Sequence, residues 1–224
     1  MSNSSKLIVI DGLDGSGKGT QSRLLVEHLE NNGHPARRID FPRHGKKSAA
    51  LVDGYLSGEL GGSPDDTGAY AAATLFAVDR YWSYRTEWGE DYRSGKIIVA
   101  DRYTTANAVH QCSKMPRPEW DAFLSWLWEN EYKRIGIPAP DLTIYLEMRP
   151  DISRRLIASR AEKEGRATDI HERDTSYLDR CYEAALYACD YLGWTKICCY
   201  EGDVPRPIED IAKEISGIVD GLII

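Results

Sequence analysis

The sequence predicts an α/β fold, a five-stranded parallel sheet with helices on both faces. Five short apolar runs alternate with longer helical patterns, at residues 7–10, 38–41, 97–100, 142–146 and 196–200. This alternation is typical of parallel strands that helices cover on both faces. Polar or charged residues directly follow three of the runs, and ligands of such sheets bind beyond the carboxyl ends of the strands. We therefore expect the functional site at that edge.

The first run leads into a glycine-rich loop, Gly12-Leu13-Asp14-Gly15-Ser16-Gly17-Lys18, followed by a helical pattern. Glycines let successive N–H groups face one point, the lysine adds a mobile positive charge, and the helix N-terminus favours an anion. The pattern asks for Ser or Thr after the lysine, so Gly19 puts the usual magnesium hydroxyl in doubt. The loop predicts a polyphosphate site, built from Gly12, Gly15, Ser16, Gly17, Lys18, Gly19 and Thr20.

Charged residues also follow the second and third runs. Asp101 closes the third, where phosphate-loop enzymes keep an acid for the magnesium shell; a helix cap or turn aspartate is the alternative. Arg102 beside it offers a planar fork to a second phosphate. Arg43, which follows Phe41-Pro42, could bind a phosphate in the same way, and the alternative is a solvated loop arginine.

Two long helices are predicted, from Thr67 to about Tyr92 and from Pro118 to Arg134. The first has an apolar stripe of Tyr70, Ala73, Ala77, Tyr81 and Tyr84. Phe76 and Arg80 lie one turn apart on it, where an aromatic ring could stack on a base and an arginine could bond its edge. The alternative is a core phenylalanine beside a snorkelling arginine.

A charge-dense stretch follows the fourth strand and contains Arg160, Gly165 and Arg166. Mixed charge of this kind is usual in a solvated helix end. Its arginines and its central glycine also suit a lid that closes over a nucleotide, at about residues 158–174.

Bulk properties exclude several classes of function. The chain has 224 residues and a net charge of −7, which predict a single domain, 1–224, and disfavour a nucleic-acid polymer as partner. No apolar run or signal segment indicates a membrane or export, so we expect a cytoplasmic protein. Five cysteines without C-x-x-C spacing predict free buried thiols.

Taken in order, these motifs resemble the thymidylate kinase (dTMP kinase) family from about residue 6 to 200. The resemblance implies a P-loop NTPase fold and transfer of the γ-phosphate of ATP to dTMP, with Mg²⁺, giving dTDP and ADP. It also implies a homodimer, for which the helix from Thr67 offers a face. A monophosphate is already anionic, its second pKa being about 6, so no general base is required.

The resemblance also implies residue roles. Asp14 contacts the sugar 3′-hydroxyl, Phe76 stacks on thymine, and Arg80 and Asn107 bond its edge. The acceptor phosphate is held by Arg43 and Arg102, and Phe41 belongs to the same dTMP site. His110 stands where a tyrosine near the deoxyribose is common.

One branch of the family carries its catalytic arginine where this chain has Gly15. The chain therefore resembles the branch that supplies arginine from the lid, and the expected catalytic set is Lys18, Arg102, Arg160 and Arg166. Other hypotheses are a kinase of another pyrimidine deoxynucleotide or of a deoxynucleoside, and a silent nucleotide-binding protein, suggested only by Gly19. A nucleotide-switched binding protein would need a guanine-reading Asn-Lys-x-Asp segment, which is absent.

Overall fold

The central sheet has the order β2-β3-β1-β4-β5, and every neighbouring pair is parallel. The computed structural model describes residues 5–164 and 175–223. For residues 159–164 and 175 it describes the backbone alone. The strands are β1 (Lys6–Gly12), β2 (Ala36–Asp40), β3 (Ile97–Asp101), β4 (Leu142–Glu147) and β5 (Thr195–Cys198). The predicted five-stranded parallel sheet is confirmed.

β2 and β5 end before the runs that predicted them, whereas β1, β3 and β4 extend one or two residues beyond theirs. β2 ends at Asp40, because Phe41 is followed by Pro42, which has no N–H for the ladder. Tyr200 belongs to a separate antiparallel pair, β6 (Tyr200–Glu201) with β7 (Val204–Pro205), which was not predicted from the sequence.

The helices connect these strands. They are α1 (Lys18–Asn31), α2 (Ala50–Ser57), α3 (Ala69–Ser83), α4 (Gly89–Arg93), α5 (Thr104–Cys112), α6 (Trp120–Trp128), α7 (Pro150–Glu164), α8 (Thr175–Leu192) and α9 (Ile208–Ile223). The two predicted long helices both contain a π-helical segment, Tyr84–Trp88 after α3 and Glu129–Ile135 after α6.

Helices cover both faces of the sheet, and the strand period explains how. Ile8 and Ile10 face one side and pack with the cluster that holds Leu25 of α1 and Ile215 of α9. Leu7 and Val9 face the other side. Full burial of each such side chain contributes about 1.5–3 kcal/mol of apolar transfer free energy. The sheet is therefore a rigid base for the loops at its carboxyl edge.

The predicted stripe on α3 is divided between two environments. Ala73 and Ala77 are buried, whereas Tyr70 and Tyr81 are exposed. The exposed apolar face of α3 consists of Tyr70, Val78, Tyr81 and Trp82. Helical spacing alone could not predict which apolar residues of α3 are buried, because α3 has apolar residues on both its buried and its exposed face.

All five cysteines are free, as predicted, and all except the exposed Cys198 are buried. Burial raises the pKa of the Cys112 and Cys181 thiols to about 12. In the described part of the chain, no helix is both long and apolar enough to cross a membrane.

Candidate active site

The glycine-rich loop joins β1 to α1, and two glycines determine its path. A Cβ on Gly12 would lie 2.5 Å from Ser16 Oγ and 2.7 Å from the Leu146 carbonyl oxygen, so only glycine fits beside β4. Gly17 caps α1 with a φ of 91°, a left-handed conformation that favours glycine. The loop therefore presents the N-terminus of α1 at the carboxyl edge of the sheet.

Lys18 is the first residue of α1 and its side chain is buried. Its Nζ donates to the Leu13 carbonyl at 2.9 Å and lies 3.6 Å from Asp14 Oδ1. Burial, with repulsion from Arg102, lowers the pKa of Lys18. Burial alone would raise the pKa of Asp14, but Arg102 and Lys18 outweigh it and the pKa is lowered. Asp14 is thus an ionised carboxylate between two cations.

Arg102 follows β3 and has a φ of 64°, which is uncommon for a residue other than glycine. Such a conformation costs roughly 1–3 kcal/mol and is concentrated at functional sites. The backbone N–H donates to the Ile10 carbonyl at 3.0 Å, and Nη2 donates to Asp14. The side chain therefore faces the phosphate loop, as the sequence predicts.

Asp101 lies beside the first turn of α1. A Cβ on Gly19 would be 3.2 Å from Asp101 Oδ2. The carboxylate does not cap α5, whose N-cap is Tyr103. No group of three or more His, Cys, Asp or Glu side chains in the described residues could hold a metal. Mg²⁺ usually binds one or two carboxylates with substrate phosphates and water, so Asp101 at this position fits it.

A pocket between α5, α3 and the phosphate loop collects most of the predicted acceptor residues. We call it the α5 pocket; it is lined by Asp14, Phe41, Pro42, His44, Leu56, Phe76, Arg80, Arg102, Tyr103, Ala106, Asn107, His110 and Gln111. Five separate segments contribute to it. The structure therefore brings together every predicted dTMP residue except Arg43.

Arg80 is not a snorkelling arginine, because it is only 1% exposed. Its Nε donates to Glu131 Oε2 at 2.7 Å, Nη2 bonds Oε1 of the same carboxylate, and Nη1 donates to the Tyr103 carbonyl at 3.2 Å. Burial alone would lower the pKa of Arg80, but the negative charge and hydrogen bonds of Glu131 have the larger effect, so the pKa is raised. Asn107 Nδ2 donates to the same carboxylate at 3.3 Å.

Phe76 is half-buried on the wall of the α5 pocket. Its ring meets Tyr55 edge to face, with centroids 6.0 Å apart. A partly exposed aromatic ring on a pocket wall suits stacking on a base.

His110 lies at the wall next to α8. Its Nδ1 is 3.2 Å from the Tyr177 hydroxyl and 3.5 Å from Cys181 Sγ. Burial, with repulsion from Arg102, lowers the pKa of His110 to about 3. The imidazole is therefore neutral near pH 7.

The guanidinium of Arg43 does not face the α5 pocket. It pairs with Asp40 and Glu87 at 2.6 Å each, and neither carboxylate lines the pocket. Its backbone N–H donates to buried Asp79 at 2.8 Å. A role of Arg43 in holding the acceptor phosphate stays a prediction.

Two residues of the site, Gln111 and Glu131, were not predicted from the sequence. Gln111 lines the α5 pocket, is 0% exposed, and neither polar atom of its amide has a hydrogen-bond partner among the described residues. Its position, one helical turn after Asn107, was the available signal. Glu131 had none, since it approaches Arg80 only through tertiary packing.

The stem of the predicted lid starts at the phosphate loop. Ser153 of α7 donates to the Asp14 carbonyl. Arg160 lies in α7, but its side chain is outside the described residues, as is Arg166 altogether. Their catalytic roles stay predictions.

A larger cavity, of about 230 Å³, lies on the opposite face of α5. It is lined by Thr105, Leu127, Trp128, Tyr132 and Trp194 among others, none of them a predicted site residue. Chemistry rather than size therefore identifies the α5 pocket as the candidate site.

Comparison with known proteins identifies the family of the chain. The family model described as thymidylate kinase matches residues 10–215. A thymidylate kinase of Mycobacterium tuberculosis is 32% identical over 184 residues, covering 81% of this chain and 84% of the relative. A thymidylate kinase of Danio rerio is 26% identical over 217 residues, covering 97% and 91%.

The fold is also similar to that of a thymidylate kinase. A solved thymidylate kinase from Candida albicans superposes with a TM-score of 0.70 at 20% identity, covering 97% of this chain and 92% of that one. This likeness confirms the predicted P-loop NTPase fold. The family match confirms the family that the motifs predicted: the chain belongs to the thymidylate kinase family.

Proposed function

We propose that the protein transfers the γ-phosphate of ATP to dTMP, giving dTDP and ADP. The observation that carries the proposal is the α5 pocket, which has a ring, Phe76, and two hydrogen-bonding side chains, Arg80 and Asn107, away from the loop. At its other end Arg102 donates to Asp14 of the phosphate loop. A nucleoside monophosphate whose base lies against Phe76 then has its phosphate beside Arg102 and the phosphate loop, where the donor ATP binds.

The protein's part in catalysis is alignment and charge neutralisation. The dTMP phosphate is already largely dianionic near pH 7, so its oxygen attacks the γ-phosphorus without a base. Lys18 and Arg102 stabilise charge around the transferred group, together with Arg160 and Arg166 if the lid closes. Mg²⁺ near Asp101 supplies Lewis-acid stabilisation of the ATP phosphates when bound.

The acceptor assay tests this function. Release of ADP is followed with ATP and, in separate reactions, dTMP, dUMP, dCMP, thymidine or no acceptor. We expect the highest kcat/KM with dTMP and slow ADP release without acceptor. A preference for thymidine would favour a deoxynucleoside kinase, and no acceptor-dependent turnover would favour a silent nucleotide-binding protein.

We propose that the protein forms a homodimer through the exposed face of α3. Val78, Tyr81 and Trp82 on that face are exposed apolar or aromatic side chains. Clusters of such side chains mark association surfaces. We expect a dimer mass by light scattering and a monomer after Val78→Glu; a monomeric wild type would contradict the proposal. A cytoplasmic location stays a prediction.

A further inference from the structure

We infer that Glu131 is a positioning residue that sets base selectivity, by orienting Arg80 and Asn107 toward a 4-oxo pyrimidine and against a 4-amino pyrimidine. The inference rests on the proposed function, because it assumes that a pyrimidine base enters the α5 pocket. Glu131 lies on the π-helical segment after α6 and is 0% exposed. It does not itself line the pocket.

The contacts of Arg80 determine what this residue can offer a base. A guanidinium has five N–H groups and no acceptor. Glu131 takes one from Nε and one from Nη2, and the Tyr103 carbonyl takes one from Nη1. One N–H therefore remains on each Nη nitrogen of a side chain that lines the pocket. Oxygen O4 of thymine is an acceptor and matches these donors, whereas the 4-amino group of cytosine presents a donor to them.

Asn107 is oriented by the same carboxylate. Its Nδ2 donates to Glu131 Oε1 at 3.3 Å and to the Ala73 carbonyl at 3.1 Å. These acceptors commit the amide nitrogen and assign the amide orientation, which leaves Oδ1 as the group able to face the pocket. An acceptor there matches the N3–H of thymine. It opposes N3 of cytosine, which is itself an acceptor.

The Glu131 carboxylate thus orients a donor, Arg80, and an acceptor, Asn107 Oδ1. Together they match O4 and N3–H of thymine or uracil, and they mismatch the 4-amino group and N3 of cytosine. Discrimination of this kind is strong because a mismatched base leaves buried polar groups unpaired. A purely structural ion pair would stabilise the fold but would not favour one base. The two interpretations therefore differ in the ratio of substrate preferences, not only in activity.

The test compares Glu131→Gln with the matched control Glu129→Gln. Glu129 lies on the same π-helical segment, is half-exposed, and pairs with Arg134 at 2.7 Å. For each protein the ratio of kcat/KM for dTMP to that for dCMP is measured, and calorimetry gives the Kd of dTMP and of ATP. We expect Glu131→Gln to lower the ratio at least tenfold and raise the dTMP Kd at least tenfold, with the ATP Kd within twofold. Glu129→Gln should leave all three unchanged.

Equal losses for dTMP and dCMP, or an equal weakening of ATP, would overturn the inference in favour of a structural role. Because Glu131→Gln could fail to fold, Glu131→Asp is measured in parallel. Asp keeps the charge but is one methylene shorter and cannot meet Arg80 and Asn107 in the same geometry. We expect it to lower the ratio at least threefold, and an unchanged ratio in a folded Glu131→Asp contradicts the inference.

The wild-type ratio separates this inference from the proposed function. A wild type that prefers another acceptor class contradicts the proposed function, and one without preference between dTMP and dCMP contradicts both. A wild type that prefers dTMP, with the ratio unchanged in the Glu131 variants, contradicts the inference alone.

Discussion

Arg38 Nη2 donates to Asp101 Oδ2 at 2.8 Å, beside the first turn of α1 where Gly19 has no side chain. Arg38 Nε also donates to Ser22 Oγ at 2.8 Å on the same helix. A Cβ at position 19 would lie 3.7 Å from Arg38 Nη2. The place that a loop hydroxyl would take is therefore bordered by the Asp101 carboxylate and the Arg38 guanidinium.

This arrangement predicts how the Mg²⁺ requirement responds to mutation. Asp101→Asn should raise the Mg²⁺ concentration for half-maximal activity, because a neutral amide attracts the cation less. Gly19→Ser should be tolerated, since the one tight contact of its Cβ, at 3.2 Å, is with the end of the Asp101 side chain, which needs to shift only slightly. Mg²⁺ titrations of the ADP-release rate check both, with Asp91→Asn, a surface residue paired with Arg37, as the control. An unchanged requirement in Asp101→Asn would remove Asp101 from the metal site.

Lys18→Ala should abolish turnover and preserve the fold. Lys18 is a buried cation whose pKa burial lowers, so its loss removes an unfavourable buried charge while Arg102 still pairs with Asp14. We expect kcat below about a tenth of the wild-type value, given the usual size of such charge stabilisation. Thermal unfolding should show no lower Tm. More than a tenth of the activity would argue against a catalytic role.

Phe76→Ala should weaken dTMP binding by about 1–3 kcal/mol, the usual contribution of base stacking on an aromatic ring. The ring lines the α5 pocket and is only half-buried, so its removal should cost the fold less than a core deletion. Calorimetric titrations with dTMP and with ATP provide the measurement. If both nucleotides lose affinity equally, Phe76 is a core residue.

His110 should destabilise the protein in acid. Its pKa is about 3 in the folded state because of burial and Arg102, below the ordinary value of about 6.5. As pH falls below 6.5 the unfolded chain takes up a proton that the folded chain refuses until about pH 3, so stability is lost across this range. The loss between pH 7 and 5 is on the order of 1–2 kcal/mol.

Urea unfolding of the wild type, His110→Gln and the control His34→Gln at pH 7 and 5 measures that loss. We expect His110→Gln alone to lose less stability than the wild type on acidification. An identical pH dependence in all three proteins would show that another group titrates.

Arg166→Ala should lower kcat strongly with little change in the KM for dTMP, the signature of an interaction made mainly in the transition state. Gly15 leaves the phosphate loop without an arginine, and α7 begins against that loop through Ser153. Steady-state kinetics of Arg166→Ala, Arg160→Ala and the double variant check this. If the double variant keeps kcat within about threefold, less than 1 kcal/mol, Arg102 becomes the first candidate to stabilise the transferred group.

The sequence by itself determined the features that depend on local patterns. Apolar runs specified the central strands β1, β3 and β4, because a buried parallel strand needs continuous apolar residues. The edge strands β2 and β5 bury only Ile39 and Ile197. Glycine spacing specified the phosphate loop, because a Cβ at Gly12 would clash with β4 and the left-handed backbone at Gly17 favours glycine. The positions of Asp101, which ends β3, and of Arg102, which follows it, were predictable because parallel strands end at one edge of the sheet.

Only the tertiary structure decided which groups pair across distant segments. Glu131 meets Arg80 from 51 positions away, and Arg43 turns to Glu87 from 44 positions away. No periodicity carries this information, because a side chain's charge partner depends on how helices pack and on which carboxylates are buried beside it. The same holds for α3, whose buried and exposed apolar faces are separated by packing against neighbouring helices rather than by its own spacing.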